Sequence, residues 1–251
     1  MPTVAELSAV YGNFMLSPRR GPDVCELCFN LTDGHSRCYA CARGQQWLDA
    51  MAPISYSVAG EQLHHALAGY KRLGGETQRR IGRELAAVLW RHLVLHERCL
   101  AQAAAVMRFE LVTGVPSCDP SRDPKHPLHH LLADLVAPVR GRYERLLRPQ
   151  QRPPAPHIFD LRRFAPRRRL SGQAVLLIDD TWTTGANAQS AAAALKRAGA
   201  GPVAALVIGR YVTRSWRGND RRLRALARPF DWSRCALCGA ATPGDGDCLV
   251  R

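Results

Sequence analysis

The sequence predicts an α/β fold with a mostly parallel central sheet flanked by helices. Three observations carry that expectation. Residues 174–178 (AVLLI) form a near-continuous apolar run, the pattern of a strand buried on both faces. Residues 185–198 follow as an alanine-rich helix closed by Gly199. Residues 203–208 (VAALVI) are a second apolar run, which completes a strand–helix–strand unit.

The elements before this unit alternate in the same way. Residues 4–16 read as a short helix with an apolar face, and residues 54–59 as a strand. In residues 62–70, Leu63, Ala66, Leu67 and Tyr70 share one helical face, and Gly74 and Gly75 end the helix. Residues 77–96 repeat Ile81, Leu85, Val88 and Leu89 at helical spacing. Residues 109–115 are short, apolar and β-prone. Residues 126–147 read as a helix interrupted at Pro138. The stretch 148–170 is rich in proline and arginine and reads as a basic loop over the sheet.

With 251 residues and 46% hydrophobic content, the chain is long enough for one good-sized domain with a small appendage. Wholly disordered and collagen-like classes are excluded. Lys and Arg outnumber Asp and Glu by 35 to 21, a formal charge of +14. That field favours nucleic acid, a phosphorylated substrate or an anionic surface, and selects none of them. A bias toward arginine codons would produce the same surplus. No apolar run is long enough to cross a membrane, and residues 1–20 lack the apolar centre of a signal peptide, so a cytoplasmic location is expected.

In that compartment the nine cysteines are expected as thiolate ligands or thiols, not structural disulfides. Cys25, Cys28, Cys38 and Cys41 form C-x2-C-x9-C-x2-C. Two such knuckles close a tetrahedral site, and four soft thiolates suit structural zinc. An iron centre, redox dithiols or uncoordinated thiols are the alternatives. The polar stretch between the knuckles cannot build a core, so the metal would supply its folding energy. Cys235, Cys238 and Cys248 repeat the first three positions of the pattern. A second zinc there needs a fourth ligand, for which Asp247 or His157 could serve. The alternative is a frayed tail with unused thiols. Cys99 and Cys118 stand alone in sequence, and Cys99 reads as a small buried residue near a helix end.

The segment 175–190, VLLIDDTWTTGANAQS, carries the functional argument. Two adjacent acids, Asp179 and Asp180, are expected to emerge at the carboxyl edge of the strand, where open α/β sheets bind ligands. Gly185 permits a tight turn, Thr183 and Thr184 add hydroxyls, and the following helix adds its positive end, together a cradle for phosphate. The sequence contains neither G-x-x-x-x-G-K-[ST] nor G-x-G-x-x-G, which argues against a P-loop or a dinucleotide fold. A bend that merely turns the chain is the alternative.

This segment resembles the motif with which type I phosphoribosyltransferases bind phosphoribosyl diphosphate (PRPP). The resemblance implies that Asp179 and Asp180 contact the ribose hydroxyls. It places Thr181, Thr183, Thr184, Gly185 and Ala186 around the 5-phosphate. The order of parts is similar to the ComF-like (competence protein F-like) branch of amidophosphoribosyltransferase homologues, over about residues 20–210. Those proteins begin with a four-cysteine zinc module. Lys71, within AGYK, and the stretch 113–117, with Thr113 and Gly114, then correspond to pyrophosphate-contacting places. The branch usually has R-G-[FY]-N-Q after its second strand; here SRDPKHPLHHL stands instead, so Arg122, Lys125 and His126 are candidates for the anion contacts.

The organisation implied is a helix and zinc module in residues 1–50, a phosphoribosyltransferase-like α/β domain in 51–210, and a basic, Trp- and Cys-containing tail in 211–251. The function implied is release of pyrophosphate from PRPP, with Mg²⁺ and an unidentified amine or base as acceptor. The alternatives are a non-catalytic protein that binds single-stranded DNA in uptake or processing, and a PRPP- or nucleotide-sensing protein. In the tail, Trp216, Arg217 and Trp232 could stack on bases or pack the tail onto the domain.

Overall fold

The structure, a computed structural model, describes residues 2–150, 155, 157–226 and 228–238. It opens with α1 (Val4–Gly12), begun by a capping box: the Thr3 hydroxyl accepts from the Glu6 amide and the Glu6 carboxylate accepts from the Thr3 amide. α1 is shorter than expected. Met15 and Leu16 are buried beyond it, and Leu16 runs in extended contact with the first strand, its amide donating to Ser55 Oγ at 2.8 Å. A turn of helix, α2 (Tyr39–Arg43), lies within the first cysteine module.

β1 (Ala50–Val58) leads to α3 (Gln62–Arg72) and the long α4 (Gly75–Ala103). β2 (Leu111–Gly114) is the short strand expected near residue 112. The single helix expected over 126–147 is instead a series of short turns: α5 (Pro127–His130), a π-turn over Leu131–Leu135, and α6 (Ala137–Arg140). Pro127 and Pro138 each sit in a first turn, where a missing N–H costs nothing; in one continuous helix Pro138 would break the ladder.

The basic stretch also differs from expectation. β3 (Leu147–Pro149) and β4 (Phe164–Pro166) pair antiparallel, and Leu147 and Phe164 are buried. Arg163 is fully buried, because its guanidinium donates to the Ala155 and Ile158 carbonyls. The chain then forms β5 (Val175–Trp182), α7 (Ala186–Arg197) and β6 (Val203–Val212), the unit expected from the apolar runs, and ends its described helices with α8 (Asn219–Arg224).

The sheet is parallel, in the order β1-β6-β5-β2. Its register sets Val175 beside both Leu111 and Val203, so the three strands start level. Val175, Leu176, Leu177 and Ile178 are almost fully buried, as a central parallel strand requires. α4 packs against α1, α3 and the sheet, and α7 against β5, β6 and the β3–β4 hairpin. The main apolar cluster extends without a break from the sheet to Cys25, Cys28 and Phe29, and to Cys235 and Leu237 near the other end of the described chain. Among the described residues no helix is long and apolar enough to cross a membrane.

Candidate functional site

β5 runs four residues past its apolar stretch, to Trp182, so Asp179 and Asp180 both belong to the strand. Strand geometry sends neighbouring side chains to opposite faces. Asp180 turns inward toward α3 and is buried. Its carboxylate is taken by two partners from one helix end: the Tyr70 hydroxyl donates to one oxygen, and Lys71 Nζ lies 2.6 Å from the other. The expectation that both acids emerge at the edge therefore fails for Asp180, while Asp179 is half-buried and lines a small cavity at the loop. A buried carboxylate is tolerated where a cation and a hydroxyl satisfy it.

Burial would raise the Asp180 pKa, but the Lys71 ammonium, Tyr70 and His126 hold it below the ordinary carboxylate value. Asp179 is different. Burial, and then the Asp180 charge beside it, push its carboxyl up to about 8. One of its oxygens accepts from the Asp180 amide at 2.9 Å. The two acids thus divide into an ion-paired carboxylate held low and a carboxyl pushed up.

The loop after β5 closes on Gly185, which has φ +85° and stands at the N-cap of α7. Any Cβ there would land inside the Trp182 indole, so glycine is required both for the backbone angle and for the contact. Thr184 Oγ1 accepts from the Ala186 amide, the first of the helix, and donates to the His157 carbonyl at 3.3 Å. Thr183 is exposed. Two spaces share this loop. A small cavity of about 20 Å³ is lined by Asp179, Thr181 and Thr183. That is room for about one water. A cleft of about 530 Å³ lies on the other side, between Trp182, Gly185 and Gln189, the first cysteine module, and Leu237.

The other expected phosphate contacts are spread out. Thr113 and Gly114 lie within β2, and Thr113 Oγ1 accepts from the Leu146 amide. Arg122 is exposed and pairs with Asp119, and Lys125 is exposed in the next turn. His126 Nδ1 is buried without a protein partner, and burial lowers its pKa to about 4. Asp123, buried nearby, accepts from the Ser117 amide and pairs with Arg145. Cys118 is drawn to the site, its thiol 3.2 Å from Asn187 Oδ1 in the first turn of α7 and 3.5 Å from Arg163 Nη1.

Cys25, Cys28, Cys38 and Cys41 converge, with ligand atoms within 4.8 Å of one another, and can coordinate a metal such as zinc. The module is docked by buried Arg210 of β6, whose guanidinium donates to the Cys28 carbonyl and to the Trp182 carbonyl. Tyr56 donates to the Phe29 carbonyl, and Gln189 Oε1 accepts from the Trp47 and Leu48 amides. Nothing local in the sequence points to Arg210; its role follows from sheet register alone.

A second convergence corrects the expected ligand set. Cys235 and Cys238 meet His96 and Cys99 of α4. Cys99, expected as a simple buried residue, belongs to this group. His157, offered as a fourth ligand, sits instead beside Thr184. Cys248 and Asp247 lie outside the described residues. The spacing H-x2-C at the end of α4 was the signal that could have found this set. Trp232 packs, with Arg91 over its ring and Phe230 at its edge, whereas Trp216 is exposed with Arg217 against it.

No protein-family model matches the chain, and comparison with curated proteins finds no match. The chain is thus an α/β protein with a parallel core sheet and two cysteine-containing clusters able to coordinate a metal ion.

Proposed function

We propose that the protein is a PRPP-dependent phosphoribosyltransferase in which a nitrogen nucleophile displaces pyrophosphate from C1 of the ribose. The observation that carries this reading is the junction of β5 and α7. The Asp179 carboxyl, two threonine hydroxyls and a glycine-capped helix start meet there at the carboxyl edge of a parallel sheet. In this reading Asp179 holds the ribose hydroxyls, and the loop from Thr181 to Ala186 holds the 5-phosphate. The adjoining cleft, about 530 Å³, is of the size that small ligands occupy and would take the acceptor.

Lys71 is the cation nearest the acids. It would exchange Asp180 for the pyrophosphate as charge develops on the leaving group. Magnesium, brought with the diphosphate, would supply charge neutralisation. Carboxylate oxygens suit so hard a cation; both Asp180 oxygens are engaged here, so the acid that would meet it is Asp179, after loss of its proton.

Those same contacts favour a second reading, a protein that binds PRPP or a nucleotide without turnover. The Asp180 lock and a loop cavity of about 20 Å³ require rearrangement before a phosphate enters. Pyrophosphate release from PRPP and magnesium, measured across a panel of bases and amines, separates the two. Release that disappears in Asp179→Asn with Asp180→Asn supports the transferase. Saturable PRPP binding without release supports the sensor. A protein that does neither overturns both.

A further inference from the structure

We propose that His96, Cys99, Cys235 and Cys238 form a second structural zinc site. It fastens the segment after Arg228 to the end of α4, and four ligands for it are present among the described residues. The four ligand atoms come from two elements far apart in sequence and lie within 4.8 Å of one another. Cys99 and Cys238 Sγ are 4.0 Å apart, and Cys235 and Cys238 Sγ are 3.3 Å apart. His96 Nδ1 is 4.0 Å from Cys99 Sγ and 3.8 Å from Cys238 Sγ. A tetrahedral zinc with ordinary bond lengths would set about 3.8 Å between sulfurs and about 3.6 Å between sulfur and nitrogen. The observed spacings scatter around those values.

Two outer contacts are of the kind that orient metal ligands. His96 Nε2 lies 2.9 Å from the Trp232 carbonyl. A carbonyl can only accept, so Nε2 carries the proton and Nδ1 presents its lone pair to the three sulfurs. The Cys235 amide donates to Cys238 Sγ at 3.1 Å, a bond that stabilises thiolate charge within the knuckle. Three soft thiolates and one imidazole, all filled by protein, suit a structural zinc rather than a catalytic one.

The site has a consequence for the cleft. Leu237, between the two knuckle cysteines, lines the same cleft as Cys41 of the first module and Trp182 of the loop. Two metal knuckles therefore form parts of one wall, and the second holds its share through α4.

Zinc per chain, measured on the full-length protein prepared with zinc, tests the assignment. Two zinc ions in the unaltered protein, one in Cys99→Ala with Cys238→Ala, one in Cys28→Ala with Cys38→Ala, and two in Cys248→Ala are expected. One zinc in the unaltered protein, retained when Cys99 and Cys238 are replaced, overturns the proposal. So does loss of one zinc in Cys248→Ala together with two firmly held ions in His96→Ala. If the double cysteine variant does not fold, His96→Cys against His96→Ala decides. The former should keep both ions. The latter should yield one ion to a chelator at least ten times more readily, and equal retention by the two overturns the assignment.

Discussion

Lys71 Nζ lies 2.6 Å from Asp180 Oδ1, a pair joined across the sheet edge from 109 residues apart in sequence. Asp180 is buried and the Lys71 side chain is about one-third exposed. Lys71→Met leaves the carboxylate with Tyr70 alone. Breaking a fully buried pair costs about 3–5 kcal/mol. Solvent reaches this lysine, so a loss of about 2–3 kcal/mol is expected in urea unfolding. Adding Asp180→Asn should recover part of that loss, because no buried charge then remains. Strictly additive losses would show that the two residues do not act as a pair.

Asp179 predicts a pH dependence of the opposite sense from ordinary surface acids. Burial and then the Asp180 charge push its carboxyl up to about 8 in the fold, from an ordinary value of 3.8, because both favour the protonated form. The folded state therefore binds this proton more tightly than the unfolded chain. The resulting stability is fully present below the unfolded value. It declines as pH rises and is gone once pH passes the folded value. Asp179→Asn cannot titrate. Relative to that variant, the unaltered protein should lose stability between about pH 4 and pH 8 in a series of thermal or urea melts. Parallel curves would mean that Asp179 is ionised in the fold.

The strand–helix–strand unit and the first cysteine pattern are legible because each is local. An apolar run, an alanine-rich segment and a C-x-x-C each announce themselves within a few residues. The pairings that finish the site are not local. Asp180 meets Lys71, Arg210 meets Cys28, and His96 meets Cys238 only after the sheet register is set. Burial of Arg163 was illegible for the same reason: a run of arginines and prolines reads as a solvated loop until carbonyl acceptors fold around one guanidinium. The broken helix after residue 126 could have been read from Pro127 as well as Pro138.

Gly185 makes a sharper local prediction. Its φ of +85° disfavours any side chain, and a Cβ would occupy the space of the Trp182 indole. Gly185→Ala should cost about 1–3 kcal/mol from backbone strain, with more from displacing the ring. Trp182→Ala combined with Gly185→Ala removes the clash but not the strain, so part of the loss attributable to Gly185→Ala should return. Unfolding midpoints of the single and double variants check this. An unchanged midpoint in Gly185→Ala would mean that the loop does not hold this conformation.

Arg210 is the remaining lever, because a single buried guanidinium bridges the first cysteine module and the end of β5. It donates to the carbonyls of Cys28, Trp182 and Tyr211. Arg210→Met keeps much of the side-chain volume and removes all of these donors, leaving buried acceptors unsatisfied at about 1–3 kcal/mol each before relaxation. Because the bonds share one hub, the losses should not simply add, and a total of about 3 kcal/mol is expected. All four ligands are still present, although Cys28 Sγ loses its 3.6 Å contact with Arg210 Nη2, so zinc bound by Cys25, Cys28, Cys38 and Cys41 should remain while its docking loosens. Hydrogen exchange at the amides of residues 24–32 and 181–186 should therefore rise together, with zinc content constant. Loss of zinc along with protection would instead make Arg210 part of what holds the metal.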